Sequence, residues 1–177
     1  GLPLDKFILL NFGVIRSYKG FNLINQLSKR LKASQTFFLV AGQYYPNRLH
    51  SIYRRISLSY WKYRLKYSSN RRFDLFYIPS DQLPYYFAAC DAVLLTHTSG
   101  LTSGLLAMAA TFKRPVVYPE IGNFKEQMED WVSESYQAGN LDSTNEAILA
   151  TLQKCKSAVS LDNTRWLEKN SWQTHVK

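Results

Sequence analysis

The chain is short of the features that would settle its class at a glance. It has two cysteines, Cys90 and Cys155, too few and too far apart for a disulfide framework or a metal-binding pair. Each sits in an apolar helical pattern, as buried thiols in a reducing compartment do. No apolar run is long enough to cross a bilayer as a helix. Nothing rich in Gly, Pro or Ser marks a linker, and there is no internal repeat. Residues 1–5 resemble neither a signal peptide nor a transit peptide. The absence of an initiator Met leads us to expect a piece of a longer protein. Chemistry is sparse too. There is no Gly-Lys-Ser/Thr phosphate loop, no Ser/His/Asp order, no metal-ligand cluster and no carboxylate pair placed for glycoside hydrolysis.

What is present suits one domain with a single core: 177 residues, 46 % of them hydrophobic. Acids are outnumbered, 13 against 22 Lys and Arg, for a formal net charge of +9. The excess is local. Between residues 43 and 72 stand Arg48, Arg54, Arg55, Lys62, Arg64, Lys66, Arg71 and Arg72, with no acid among them. Tyr44, Tyr45, Tyr53, Tyr60, Trp61, Tyr63 and Tyr67 are interleaved with them. Three readings of this segment stand. It suits an anionic membrane surface, or nucleic acid, or it is a surface helix whose tyrosines pack on the rest of the domain.

Short apolar runs with little alternation recur at 7–12, 36–41, 73–78, 92–95 and 115–118, as in strands buried on both faces of a parallel sheet. Helical patterns lie between them. Phe21, Ile24, Leu27 and Leu31 keep three- or four-residue spacing. Leu83, Phe87 and Cys90 do the same, with Asp81 as the expected cap and Pro84 in the first turn. Ile148, Leu152, Cys155 and Val159 form a later stripe that opens on Ser143 and Glu146, at capping-box spacing. Residues 161–177 read as a last helix. Its two tryptophans, Trp166 and Trp172, call for a packing partner, part of which a longer protein would supply. Strand and helix alternating about five times predicts an α/β fold: a doubly wound parallel β-sheet with helices on both faces.

In such sheets ligands bind beyond the carboxyl ends of the strands. After the first predicted strand, Gly13 and Gly20 frame Arg16 and Lys19 at a strand-to-helix turn. Close backbone approach, free helix N–H groups and two cations suit a phosphate or diphosphate, although an ordinary turn with two solvated cations reads the same way. After the fourth, the loop 96–104 crowds Thr96, His97, Ser99, Gly100, Thr102, Ser103 and Gly104 before a helix, which suits an anion or is a polar loop with a Ser cap. The two loops neighbour each other if the sheet has the usual order. After the fifth, Glu120, Gly122 and Glu126 offer carboxylates to sugar or ribose hydroxyls, or to solvent. His97 reads as an acid, an orienting donor or a satisfied polar residue.

These residues resemble a known family. Gly13-x-x-Arg16-x-Tyr18-Lys19-Gly20 resembles the Gly-Arg-x-x-x-x-Lys-Gly signature of GT-B glycosyltransferases, above all the large family 4. The stretch from Ser80 to Asp91 resembles the helix that leads to that family's Ala-Ala-Asp. Ser103-Gly104 with Ala107 and Arg114-Pro115-Val116-Val117 resembles the Ser-Gly subgroup of polysaccharide-assembly transferases, and Gly122-x-x-x-Glu126 is similar to the family's Gly…Glu loop. The resemblance runs from about Phe7 to Val176. It implies a Rossmann-like donor domain, with an N-terminal acceptor domain absent from this chain. It implies a nucleotide-diphosphate sugar as substrate with no metal required, and transfer to a lipid-linked or saccharide acceptor. Retention, a cytoplasmic setting at the inner face of a membrane, and inactivity of this half alone follow from it as expectations.

Residue by residue, the resemblance gives Arg16 and Lys19 the donor diphosphate, with Gly13, Gly20 and the backbone of Ser103 and Gly104 beside it. His97, Ser99, Gly100, Thr102, Glu120, Gly122 and Glu126 would meet donor sugar or ribose, and Tyr77, Ile78 and Pro79 would edge the base. The sequence departs from the pattern at Val14, where the family has a cation, and at Gly100 and Met108, where it has paired glutamates. Ribose binding is thereby unassigned. A sugar-nucleotide 2-epimerase on the same fold, or a non-catalytic module for nucleotides or nucleic acid, are the alternatives.

Overall fold

The computed structural model describes residues 1–14, 19–32, 35–43, 70–157 and 160–170. The segment 44–69 lies outside the described residues, and with it six of the eight clustered cations and all seven interleaved aromatic residues. Arg16, Val159 and Trp172 lie outside them too.

Six strands form one sheet: β1 (Phe7–Phe12), β2 (Thr36–Ala41), β3 (Arg71–Asp74), β4 (Ala92–Leu94), β5 (Val116–Pro119) and β6 (Ser133–Tyr136). Their order is β3-β2-β1-β4-β5-β6 and every pairing is parallel. The helices are α1 (Phe21–Arg30), α2 (Leu83–Ala88), α3 (Gly104–Thr111), α4 (Phe124–Gln127), α5 (Leu141–Lys156) and α6 (Thr164–Asn170). Strand alternation splits the core in two. Ile8 and Leu10 pack with Phe87 of α2, Leu106 and Ala110 of α3, Phe124 of α4 and Trp166 of α6. Leu9, facing the other way, packs with Ile24 and Leu27 of α1 and Ile148 of α5. This is the doubly wound α/β arrangement that the alternating pattern predicts.

β1 and β2 fall where their apolar runs do, and β4 and β5 within a residue of theirs. One strand is corrected and one is added. The third strand is Arg71–Asp74, not 73–78. Beyond Asp74 the chain leaves the sheet, so that Phe76 and Tyr77 are exposed while Ile78 returns to the core. β3 is an edge strand held by polar partners. Arg71 donates to Asn25 and Ser28 of α1, and the buried Asp74 carboxylate accepts from Arg72 Nε and Tyr86 Oη, each at 2.9 Å. Two of the eight clustered cations are thus structural. β6 escapes hydropathy because Ser-Glu-Ser-Tyr has one inward residue. That residue, Tyr136, is buried, and its hydroxyl donates to the Leu95 carbonyl at 2.6 Å.

Caps differ as well. α2 follows a short 3-10 turn at Ser80–Gln82, and Gln82, not Asp81, occupies its cap position, with Pro84 in the first turn as expected. α5 starts before the Ser143–Glu146 spacing suggests. Asn140 Oδ1 accepts from the N–H groups of Asp142 and Ser143, at 3.0 and 3.1 Å, and Ser143 Oγ is turned back onto the Gln137 N–H. Trp166 of α6 is buried within the domain. The expected helix over 161–177 is described only as Thr164–Asn170.

Candidate anion-binding site

β1 and β4 are neighbours from which the chain departs in opposite directions, so a crevice opens beyond their carboxyl ends. Asn11, a lone polar residue in an apolar strand, joins them. Its amide donates to the Leu94 carbonyl at 2.8 Å and to Thr96 Oγ1 at 3.2 Å. Thr96 Oγ1 in turn donates to the carbonyl of Lys19. Gly20, next along, is in the left-handed region at φ 58, and a β-carbon there would lie 2.0 Å from the Thr96 carbonyl oxygen. Only glycine fits that approach. Lys19 is therefore held at its carbonyl and by the backbone contact of Gly20. Its ammonium rests over Gly13, where an added β-carbon would come within 3.0 Å of Nζ.

Lys19 and His97 line an open pocket of about 400 Å³ together with Ser99, Gly100, Thr102, Ser103 and Gly104. Lys19 is the one formal charge among these residues. Opposite charge is invited from a second source. Gly104 opens α3, whose first N–H groups have no intrahelical acceptor and carry the positive end of the helix dipole. The Ser103 N–H is already engaged, donating to Gln127 Oε1 of α4 at 3.1 Å. That leaves Gly104 and the residue after it to present N–H groups to a ligand. His97 is buried, 8 % exposed, with Phe124 edge-on at 5.8 Å. Burial first, and the charge of Lys19 second, lower its pKa to about 4, so the imidazole is neutral at pH 7.

The two loops expected to converge do converge: Gly13, Lys19, Gly20, His97, Ser99, Gly100, Thr102, Ser103 and Gly104 come together. The carboxylates do not join them. Glu120 accepts from Ser135 Oγ at 2.8 Å, and Glu126 is exposed on α4 beside a separate hollow shared with Tyr118, Lys125 and Met128. Gly122 packs its backbone on the Gly100 and Leu101 carbonyls, so the turn after β5 braces the loop after β4. Tyr77 is exposed and Pro79 half-buried, while the side chain of Ile78 belongs to the core. Met108 packs against the core from α3. Sequence reasoning missed Asn11 and Gln127. The first was visible as a polar interruption of an apolar run. The second has no local signature, because its partner is 24 residues away.

Among the described residues no group of His, Cys, Asp and Glu is placed to hold a metal ion, and no helix is long and apolar enough to cross a membrane. Burial pushes the Cys90 thiol up to about 12, which leaves it unreactive near neutral pH.

No protein-family model and no curated protein sequence matches this chain. Solved structures do match in fold. Sucrose-phosphate synthase from Thermosynechococcus elongatus superposes with a TM-score of 0.74 at 19 % identity, over 95 % of this chain and 41 % of its own. HepE of Anabaena, in complex with UDP, gives 0.73 at 19 %, over 93 % of this chain and 44 % of its own. The C-terminal domain of the group 1 glycosyl transferase LpcC of Francisella tularensis gives 0.68 at 16 %, over 93 % and 85 %. The chain therefore spans about two-fifths of the first two structures and most of the third, a C-terminal domain by itself. These neighbours are GT-B glycosyltransferases, and the Rossmann-like fold implied by the sequence resemblance is the one they share with this chain.

Proposed function

We propose that this chain is the donor-binding half of a glycosyltransferase that moves a sugar from a nucleotide-diphosphate sugar to an acceptor hydroxyl. The observation that carries the reading is the pairing of Lys19 with the amino end of α3 across one pocket at the point where the strand order reverses. As the donor bond breaks, negative charge grows on the departing diphosphate. A fixed ammonium and oriented N–H groups stabilise that charge without having to reorganise. Arg16, just before Lys19 in the sequence, supplies a second cation in this reading. Gly13 and Gly20 let the turn approach the ligand, the hydroxyls of Ser99 and Thr102 with His97 meet the donor sugar, and Tyr77 and Pro79 edge the base.

A uridine nucleotide is the first donor to try, because HepE is described with UDP and with UDP-glucose. The acceptor would be lipid-linked or saccharide, bound by an N-terminal domain outside this chain, so that this half alone binds donor weakly and transfers nothing. Segment 44–72 would then meet an anionic membrane surface during cell-surface polysaccharide or glycolipid assembly. Retention of configuration and independence from metal belong to the same proposal. The 2-epimerase alternative needs an acid–base set in the cleft, and no carboxylate lines the described pocket.

The competing reading is a nucleic-acid module, favoured by the net charge of +9. A thermal-shift panel of UDP, GDP, their sugars and generic single-stranded DNA separates the two. The donor reading expects one diphosphate to raise the melting temperature in wild type and not in Lys19→Ala. Salt-sensitive DNA binding indifferent to Lys19→Ala, with no response to any nucleotide, would sink it.

A further inference from the structure

Lys19 is the permanent cation among the residues that line the pocket, and the proposed ligand, a diphosphate diester, carries two negative charges. The other titratable group that lines it is His97. Among the groups that face His97 are the Lys19 ammonium from the turn before α1 and the uncharged ring of Phe124 from α4. No carboxylate of the described residues lines this pocket. In the empty site Lys19 and burial both act against an imidazolium. A bound anion reverses the sign of the field. A charge of opposite sign within about 4–6 Å favours the protonated base by about one to three pH units. That brings an imidazole starting from about 4 into the range of ordinary titration.

We infer that His97 takes up a proton as a nucleotide diphosphate enters beside Lys19, so that the occupied pocket holds a positive charge at His97 which the empty pocket does not. The empty site is spared like-charge repulsion between His97 and Lys19. The loaded site gains attraction between the imidazolium and the diphosphate. The inference rests on the donor reading and adds to it a pH-linked ligand that the reading alone does not require.

The test is calorimetric titration with UDP-glucose, whose diphosphate is esterified at both ends and does not itself titrate near neutral pH. Run at about pH 6 in MES and in Bis-Tris, buffers of different ionisation enthalpy, the titration counts protons directly on the wild-type chain. The expected result is uptake of about half a proton or more per ligand, with affinity rising about four- to tenfold from pH 7.5 to 5.5. His97→Gln and His97→Asn, each checked for cooperative unfolding, should bind with no uptake and an affinity flat in pH. Binding by wild type without proton uptake overturns the inference and leaves the donor reading standing, as does equal uptake in both variants. No binding of any nucleotide sugar at any pH removes both together.

Discussion

A β-carbon on Gly20 would lie 2.0 Å from the carbonyl oxygen of Thr96, so the turn after β1 and the loop after β4 meet in backbone contact. Lys19 sits directly before that contact and its carbonyl is held by the Thr96 hydroxyl. Gly20→Ala has to relieve both a left-handed φ and a collision with backbone. It should cost about 2 kcal/mol or more, read as a lower urea midpoint, and should weaken nucleotide binding along with it. Gly104 supplies the contrast, since a β-carbon there meets nothing within 4 Å. Gly104→Ala should leave stability unchanged or raise it by about 0.5 kcal/mol. A loss of nucleotide affinity in that variant would report on ligand approach and not on folding.

The last described helix is tied to the pocket through one residue. Trp166 Nε1 donates to the Gln127 carbonyl at 2.9 Å, and Gln127 Oε1 accepts the Ser103 N–H at the start of α3. Trp166→Phe keeps most of the buried ring and loses the hydrogen bond, for about 1 kcal/mol in chemical denaturation. Trp166→Ala empties a core site and should cost about 3–5 kcal/mol. Gln127→Ala should cost about 1 kcal/mol and leave the Ser103 N–H open to a ligand.

His97 also sets a pH dependence of folding. An imidazole whose pKa is lowered to about 4 in the folded chain titrates near 6.5 when unfolded, so the unfolded state binds the extra proton between those values. The contribution of His97 is fully present above about pH 6.5 and is lost as pH falls from there toward 4. Urea midpoints across this window should drop more steeply for wild type than for His97→Gln. Parallel curves would show that the folded chain tolerates the imidazolium.

How much of this was legible depended on whether the signal was local. Phe7–Phe12 and Thr36–Ala41 announce themselves because strands covered on both faces must be apolar along their length. β3 and β6 sit at the sheet edges, where Arg71, Arg72, Ser133 and Glu134 are tolerated, and hydropathy misplaced the one and missed the other. The same holds at the site. Gly13, Lys19, Ser103 and Gly104 could be named because glycines and a cation at strand-to-helix turns carry their meaning in a few consecutive residues. The Asn11–Thr96 bond, the grip of Gln127 on Ser103 and the neutral state of His97 arise from residues brought together only by the sheet order. Glu120 and Glu126 show the converse: both lie close in sequence to the third loop, and folding turns Glu120 to Ser135 and leaves Glu126 on another hollow.

If Lys19 belongs to a diphosphate site, calorimetric titration of UDP-glucose into wild type and Lys19→Ala at one fixed salt concentration will register its loss. Wild type should bind saturably. Lys19→Ala should bind about ten- to a hundredfold more weakly, the worth of one charge-assisted hydrogen bond, with the unfolding midpoint unchanged. Equal affinity in the two proteins, or no binding by wild type up to millimolar ligand, would remove Lys19 from any such site.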